Sequence, residues 1–442
     1  MNNSPGCITG WFLPKYFVAA ISPGEKPGFF ALEQVPLAFT KARLSRKIKQ
    51  MFSTKSSVKV SLVVSDLSGG GAIRAFLLAQ VLIELKCDVE VVGFQFGKDL
   101  YAIPPRDIPV CAIPAQNYPG FLMDAQKLWK KIDGDIIYAV KPKPTSLGLS
   151  LLKKLATRHS IILDIDDWEL SWYGGDEWQY RPSFKQLYRD IFKHNGQLRE
   201  PDHPLYLKWM ESLIHRADAV TVDTEFLKQR FGGVYMPNGK DTAMFDPAKY
   251  NPELSRKRYG LSGYRILMFP GAPRPHKGVE DVLMALEQLN EPDLKLAIVG
   301  GSPYDDYDDK LVKQWGRWIV KLPRFPVEMM PSVVAAAHVV VVPQRETLTA
   351  VAQFPLKLTD GMAMAKPVLS TRVGDIPAIL GGTGYLVDPS SPGQISQKIQ
   401  WIFQNLTAAN LQGMKARERC VKKYSLQAMA PILSDIIAGM SR

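Results

Sequence analysis

The chain has 442 residues, of which 46% are hydrophobic and 22% charged, and its formal net charge is +12. This balance is typical of globular proteins, and the length suggests two or three domains. It excludes a disordered or collagen-like chain, and no stretch reaches the roughly 20 consecutive apolar residues of a membrane-spanning helix.

The first 56 residues are strongly basic, with eight Lys and Arg residues against two Glu. Such a segment attracts acidic partners. We therefore expect residues 1–56 to form an arm that lies on an anionic membrane surface or stays solvated without a partner. Nucleic acid is not expected as a partner, because the cations are not interleaved with aromatic residues.

From residue 58 the chain alternates short apolar runs with helical patterns. In the first half these runs predict strands at 58–65, 89–96, 135–141, 160–166, 219–224 and 234–237. In the second half they predict strands at 265–269, 294–300, 318–322, 339–343, 367–371 and 385–387. Continuous apolar strands separated by helices are typical of parallel sheets covered on both faces. The predicted fold class is α/β, with two tandem doubly wound, Rossmann-like domains that face each other across a cleft.

The same patterns predict the domain boundaries. They are an arm at 1–56, a first domain at 57–245, a linker at 246–263, a second domain at 264–422 and a last helix at 423–442 that packs back toward the first domain. Residues 168–215 interrupt the alternation with many aromatic side chains. We expect this insert to contact an acceptor or simply to form a helical subdomain.

The four cysteines lack the paired spacing of a zinc site and the density of a disulfide framework. We therefore expect a reducing compartment. The protein would lie in the cytoplasm, either free or peripheral on the inner face of the membrane.

A glycine-rich turn joins the first predicted strand to the first helix. Glycines such as Gly70 and Gly71 allow backbone N–H groups to approach a phosphate at a helix N-terminus, although a purely structural turn has the same pattern. A nicotinamide-dinucleotide site is excluded, because Arg74 stands where that fingerprint needs glycine and the second strand ends without an acidic residue.

Two further segments carry charge at helix starts. Arg274 and Lys277 precede a predicted helix, where cations are normally disfavoured by the helix dipole. A diphosphate bound between them and the helix would explain the pattern, and a solvated basic turn is the alternative. Asp360, early in the helix within 355–368, is a candidate to bind a ribose diol or a residue favoured by the dipole alone.

Taken together, these segments resemble the retaining, nucleotide-sugar-dependent glycosyltransferases of family 4, which have the GT-B fold. The resemblance covers about residues 58–405. Its six segments occur in order at 70–74, 217–224, 236–247, 271–278, 299–301 and 355–368.

The resemblance implies that the chain transfers a sugar from a nucleotide diphosphate sugar to a saccharide, lipid-linked or small-molecule hydroxyl. Retention of configuration is implied, without a cofactor or catalytic metal, since GT-B enzymes meet the diphosphate with cations and a helix dipole. The implied catalytic residues are Lys277, Arg274 and Asp167. The implied donor-binding residues are Gly70, Gly71, Gly271, Lys277, Gly300, Gln353, Phe354, Pro355, Leu356, Lys357 and Asp360. The candidate acceptor-binding residues are Arg74, Trp168, Trp172 and Tyr173.

Three positions depart from the family pattern. Ala272 stands where the family has Arg, Ala352 replaces the first Glu of a conserved pair, and the first-domain His position falls within residues 164–167. Two alternatives therefore remain open: a degenerate nucleotide-sugar-binding protein and a sugar-nucleotide epimerase.

Overall fold

The structure is a computed structural model that describes residues 57–301 and 305–440. The basic arm at 1–56 lies outside the described residues. Within these ranges no helix is long and apolar enough to cross a membrane.

The first domain is built on a seven-stranded parallel sheet. In chain order its strands are β1 Lys59–Val64, β2 Asp88–Gln95, β3 Val110–Pro114, β4 Ile136–Val140, β5 Ser160–Ile165, β6 Ala219–Val222 and β7 Val234–Tyr235. Their spatial order is β3-β2-β1-β4-β5-β6-β7. The domain's α-helices are α1 Gly71–Glu84, α2 Phe121–Trp129, α3 Leu149–Thr157, α4 Phe184–Phe192, α5 Pro204–Ser212 and α6 Glu225–Phe231. The central strand β1 is buried on both faces, as its continuous apolar sequence predicts.

The second domain repeats this arrangement with a six-stranded parallel sheet. Its strands are β8 Arg265–Pro270, β9 Leu294–Val299, β10 Ile319–Leu322, β11 Val339–Val342, β12 Val368–Thr371 and β13 Tyr385–Val387, in the order β10-β9-β8-β11-β12-β13. The α-helices of the second half are α7 Pro252–Arg258, α8 Val279–Leu289, α9 Tyr307–Trp315, α10 Met330–Ala335, α11 Leu348–Val351, α12 Leu356–Ala363, α13 Ile376–Leu380, α14 Pro392–Gln404, α15 Leu406–Tyr424 and α16 Leu426–Met440. Two sheets of parallel strands, with helices between successive strands, confirm the predicted α/β fold class.

Each of the twelve predicted strands differs by at most two residues at either end from an observed one. Strand β3 is the one observed strand that the sequence did not predict. It lies at the edge of the sheet, is half-buried and ends at Pro114. Proline is tolerated at sheet edges, where an N–H is not needed for the ladder. Its short, proline-bounded sequence therefore resembles a loop.

The segment predicted as a linker contains a helix of its own. Helix α7 contacts α10 of the second domain, and Arg256 donates a hydrogen bond to the Ala336 carbonyl at 3.2 Å. The aromatic insert at 168–215 contains α4, α5 and short 3₁₀ turns, including Glu169–Tyr173.

The last helix returns to the first domain. Leu426, Met429, Leu433 and Ile437 of α16 are buried in the core around β1 and α1. The chain leaves the first domain near Lys240 and comes back to it near Tyr424. These two crossings are adjacent, because the Lys240 N–H donates a hydrogen bond to the Tyr424 carbonyl at 2.7 Å. The two crossings between the domains therefore lie side by side.

Candidate active site

Loops from the carboxyl ends of the strands of both sheets meet in one cleft. Asp167 follows β5, and its Oδ2 accepts a hydrogen bond from Gln353 Nε2 of the second domain at 3.1 Å. Trp172 packs edge-on against His276, with ring centroids 5.3 Å apart. Ligands of open parallel sheets bind at this end of the strands, so this cleft is the candidate site.

Cations cluster on the second-domain side of the cleft. Lys277 ends the short turn between β8 and α8, and its ammonium donates to the Ala272 carbonyl at 3.1 Å. Burial, together with the charges of Lys357 and Arg274, lowers the pKa of Lys277 to about 6. The free protein therefore holds Lys277 largely uncharged at neutral pH, and an anion bound beside it would favour the charged form.

Lys357, on the first turn of α12, belongs to the same cluster. Burial lowers its pKa to about 8, a shift that Asp360 opposes and Lys240 reinforces. At Gly271, with φ of +141°, a side-chain carbon would lie only 3.0 Å from Lys357 Cε. Glycine at this position thus leaves the space that the lysine chain occupies.

Asp360 joins the two domains through an ion pair. Its Oδ1 lies 2.6 Å from the ammonium of Lys240, and both side chains are largely buried. A ribose bound by Asp360, as the resemblance implies, would share this carboxylate with Lys240. Arg274, in the loop after β8, forms an ion pair with Asp305, in the loop after β9.

The Asp167 carboxylate is positioned by groups from both domains. Besides the bond from Gln353, its Oδ2 accepts a hydrogen bond from the Trp172 indole N–H at 3.1 Å. Burial raises the pKa of Asp167 to about 6, although the Lys141 ammonium 3.8 Å away lowers it. Its buried Oδ1 has no hydrogen-bond partner among the described residues, so it can accept one from a ligand hydroxyl.

Two lysines directly after β4 form an ion-pair network beneath Asp167. The ammonium of Lys141 pairs with Glu169 and lies 3.4 Å from Asp166. Lys143 lies 3.1 Å from Glu169 and 3.0 Å from Asp202. This network was not predicted from the sequence, although two cations at the carboxyl end of a predicted strand were a visible signal.

The predicted glycines lie at the carboxyl ends of strands in both sheets. Gly70 is exposed at the start of α1, and Gly71 is buried against Lys141, whose Cε would lie 3.4 Å from a side-chain carbon there. Gly300 follows β9 with φ of +83°. At these positions the backbone, and not a side chain, faces the end of the sheet where the cleft lies.

Two residues predicted for the acceptor are buried instead. The Arg74 guanidinium binds the Asp164 carboxylate through two hydrogen bonds at 2.9 and 2.8 Å, and it also donates to the carbonyls of Met236 and Pro237. Trp168 packs under Arg230, whose guanidinium carbon lies 3.9 Å from the centroid of the indole ring. An acceptor could reach either residue only if this packing opened.

The other two predicted acceptor residues are accessible. Trp172 and Tyr173 end the 3₁₀ turn after Asp167, and each exposes about half of its surface. Of the predicted donor residues around α12, Phe354 is buried against Tyr424, Pro355 precedes the helix and Leu356 begins it. The structure thus brings Asp167, Gln353 and Trp172 together, next to the lysine cluster.

No group of three or more His, Cys, Asp or Glu side chains within residues 57–301 and 305–440 could hold a metal ion. A metal-independent reaction remains a prediction.

The two halves of the chain match two glycosyltransferase families. Residues 68–240 match Glycosyltransferase Family 4, and residues 264–405 match Glycosyl transferases group 1. The two ranges together take up more than half of the chain. It therefore belongs to the group 1, or family 4, glycosyltransferases, and the resemblance stated from its motifs is confirmed.

Individual relatives agree with this assignment. The chain is 26% identical over 239 residues to GDP-mannose-dependent alpha-(1-6)-phosphatidylinositol monomannoside mannosyltransferase of Mycolicibacterium smegmatis. The aligned region covers 50% of this chain and 63% of that relative. It is 29% identical over 381 residues to N-acetyl-alpha-D-glucosaminyl L-malate synthase of Bacillus anthracis, covering 83% and 93% respectively. With the first relative and two others, the chain spans about half to two thirds of the relative's length.

A solved structure shows the same fold. The structure of HepE from Anabaena in complex with UDP-glucose is 16% identical in sequence, has a TM-score of 0.66, and covers 86% of this chain and 100% of that one. The fold of the described residues is therefore GT-B.

Proposed function

We propose that this protein transfers a sugar from a nucleotide diphosphate sugar to a hydroxyl acceptor, with retention of configuration and without a catalytic metal. The observation that carries the proposal is the pairing of two features across one cleft. The half-buried Lys277 and Lys357 have lowered pKa values, and the Asp167 carboxylate of the other domain is bound by Gln353.

The lysine cluster suits a leaving diphosphate. In the transfer, the bond between the anomeric carbon and the phosphate oxygen breaks, and negative charge grows on the diphosphate. Preorganised cations aimed at developing charge are usually the largest single contribution to such catalysis. Lys277, which gains a proton when the diphosphate binds, and Lys357 supply these charges, and the N-terminus of α8 adds its dipole.

On the other side of the sugar, Asp167 can stabilise the positive charge that develops on the anomeric carbon and ring. Its buried Oδ1, which has no partner in the described part of the chain, can accept a hydrogen bond from a sugar hydroxyl. The acceptor hydroxyl attacks from the leaving-group face and forms the new glycosidic bond. Its proton passes to the departing diphosphate oxygen.

The acceptor class is proposed as a saccharide, a lipid-linked hydroxyl or a small molecule. The accessible rings of Trp172 and Tyr173 at the cleft support a stacked acceptor. One relative is named for a phosphatidylinositol mannoside and another for L-malate. We further propose an anionic membrane surface as a partner of the basic arm at 1–56 and no nucleic acid, with the protein in the cytoplasm or peripheral on the inner membrane face.

A thermal-shift panel tests the donor site. UDP-, GDP- and ADP-sugars and the free diphosphates are added to wild type, Lys277→Ala and the control Lys313→Ala, whose lysine is exposed on α9. A ligand at 100 times its dissociation constant stabilises the protein by about 2.7 kcal/mol. We expect a shift with one nucleotide base in wild type and control, and a clearly smaller shift in Lys277→Ala. No shift with any nucleotide would contradict the proposal.

The degenerate binding protein is supported by Ala352 and Ala272, which lack the charged groups usual at these positions. It predicts the same nucleotide shift but no cleavage of the donor. Release of the nucleoside diphosphate from the shifted donor, with water or an acceptor panel, separates the two functions.

The pKa of Lys277 predicts proton uptake when the nucleotide binds. With a pKa of about 6 in the free protein, Lys277 must gain a proton to pair with a diphosphate. Between pH 6.5 and 7.5 we therefore expect uptake of about one proton, and an affinity that falls nearly tenfold per pH unit and levels off below pH 6.

Calorimetry in buffers of different ionisation enthalpy measures this uptake. Lys277→Met provides the control, because the nucleotide's own titration persists in that variant. Equal proton uptake by the two proteins would rule out recharging of Lys277.

A further inference from the structure

Helix α4 presents its apolar side to solvent. The exposed fractions of Phe184, Tyr188 and Phe192 are 95%, 62% and 65%, and Ile191 is 43% exposed. The three aromatic residues are spaced four apart, which places them on one face of the helix. Four large apolar side chains of a nine-residue helix therefore form one continuous exposed surface, which we call the α4 face.

The opposite side of α4 attaches the helix to the protein by a polar contact. Asp190 is buried, and its Oδ2 accepts a hydrogen bond from the Tyr180 hydroxyl at 2.8 Å. A surface helix normally turns its apolar side to the core and its charges to water. In α4 this orientation is reversed, and an exposed apolar patch of this kind marks an interaction site.

The charges around the α4 face are positive. Lys185 and Arg189 lie on the helix, and Arg181 and Lys193 flank it; all four are exposed. Asp190 is the one acidic residue between positions 181 and 193, and it is buried. The patch thus combines aromatic side chains with cations at its edge, which is the composition of helices that lie in the interface of anionic membranes.

We propose that the α4 face docks the protein on an anionic lipid surface. Phe184, Tyr188 and Phe192 would enter the boundary between headgroups and acyl chains, and Lys185 and Arg189 would contact lipid phosphates. This inference deepens the proposed function and rests on it in one respect, the choice of a membrane-bound acceptor. The insert that carries α4 also supplies Trp172 to the cleft, so docking would hold the acceptor side of the site at the membrane.

Vesicle sedimentation of the full chain tests the proposal. The vesicles contain phosphatidylcholine alone or mixed equally with phosphatidylglycerol. One variant combines Phe184→Ser, Tyr188→Ser and Phe192→Ser, and its control removes exposed apolar groups elsewhere, with Leu155→Ser, Leu411→Ser and Met414→Ser. A second variant combines Lys185→Glu with Arg189→Glu, and its control is Lys422→Glu with Lys423→Glu on α15.

We expect wild type and both controls to bind the anionic vesicles more tightly than the neutral ones. The triple serine variant should bind at least about tenfold more weakly to both. The charge variant should lose about thirtyfold or more on anionic vesicles, since each cation near such a surface contributes about 1 kcal/mol, and little on neutral ones.

Residues 1–56 are present in every variant, so binding through the arm alone would leave all variants equal to wild type and would overturn the proposal. Light scattering tests a second copy of this chain as the occupant. A wild-type dimer that becomes monomeric in the serine variant, with vesicle binding unchanged, would also overturn it. The nucleotide thermal shift is measured on wild type and on each variant. A wild type that shows the shift but does not bind vesicles refutes docking alone, whereas absence of the shift in wild type refutes the donor site.

Discussion

Replacement of Lys277 by alanine is expected to lower the turnover number by about two orders of magnitude or more, the usual cost of removing one group aimed at developing charge. The lysine acts most strongly once charge has moved onto the diphosphate. The loss should therefore fall mainly on kcat, with a smaller rise in KM for the donor.

Steady-state kinetics of donor cleavage measure this change. Lys313→Ala, which removes an exposed lysine from the same domain, should retain wild-type turnover. Lys357→Ala should show a similar but separate loss, since its ammonium belongs to the same cluster. Near-normal turnover of Lys277→Ala would remove the main support for the proposed site.

Replacement of Arg74 by methionine is expected to destabilise the protein by about 3–5 kcal/mol, because it leaves the buried Asp164 charge without its partner. The carbonyls of Met236 and Pro237 also lose their donor. Arg74 links Asp164 on β5 to the segment that follows β7, and the substitution breaks this link.

Chemical denaturation followed by tryptophan fluorescence measures the loss. The double variant Arg74→Met with Asp164→Leu should recover part of the stability, since it removes the buried charge as well. Arg372→Met, which breaks an exposed pair with Asp388, should cost less than about 1 kcal/mol. If Arg74→Met instead keeps its stability and loses only activity, Arg74 contacts the acceptor as the resemblance implied.

Most of the fold could be predicted because its strands are fully buried. A strand such as β11, four consecutive valines covered on both faces, is recognisable without any knowledge of its neighbours. Strand β3 could not be recognised, since an edge strand is covered less and β3 ends in proline. The burial of Trp168 beside the exposure of Trp172 was equally hidden, because a short 3₁₀ turn has no sequence period that assigns its faces.

The sequence could supply candidate site residues where a short stretch of chain carries the whole pattern, as around Lys277 and α12. It could not supply contacts whose partners come from distant segments. Lys141 and Glu169 are 28 residues apart and meet only because β4 and β5 are neighbours in the sheet. The reversed orientation of α4 was also hidden, because an apolar face is normally assigned to the core.

The adjacent crossings at Lys240 and Tyr424 have a mechanical consequence. Both covalent connections between the domains pass through one compact pivot, while the bonds of Asp167 to Gln353 and of Ser171 to Thr349 lie across the cleft. A hydrogen bond of this kind contributes about 1 kcal/mol net, so these two bonds together contribute about 2 kcal/mol to holding the cleft closed. A rotation of the domains about this pivot would separate Asp167 from Gln353 and Ser171 from Thr349, while the two paired crossings at Lys240 and Tyr424 stay in place.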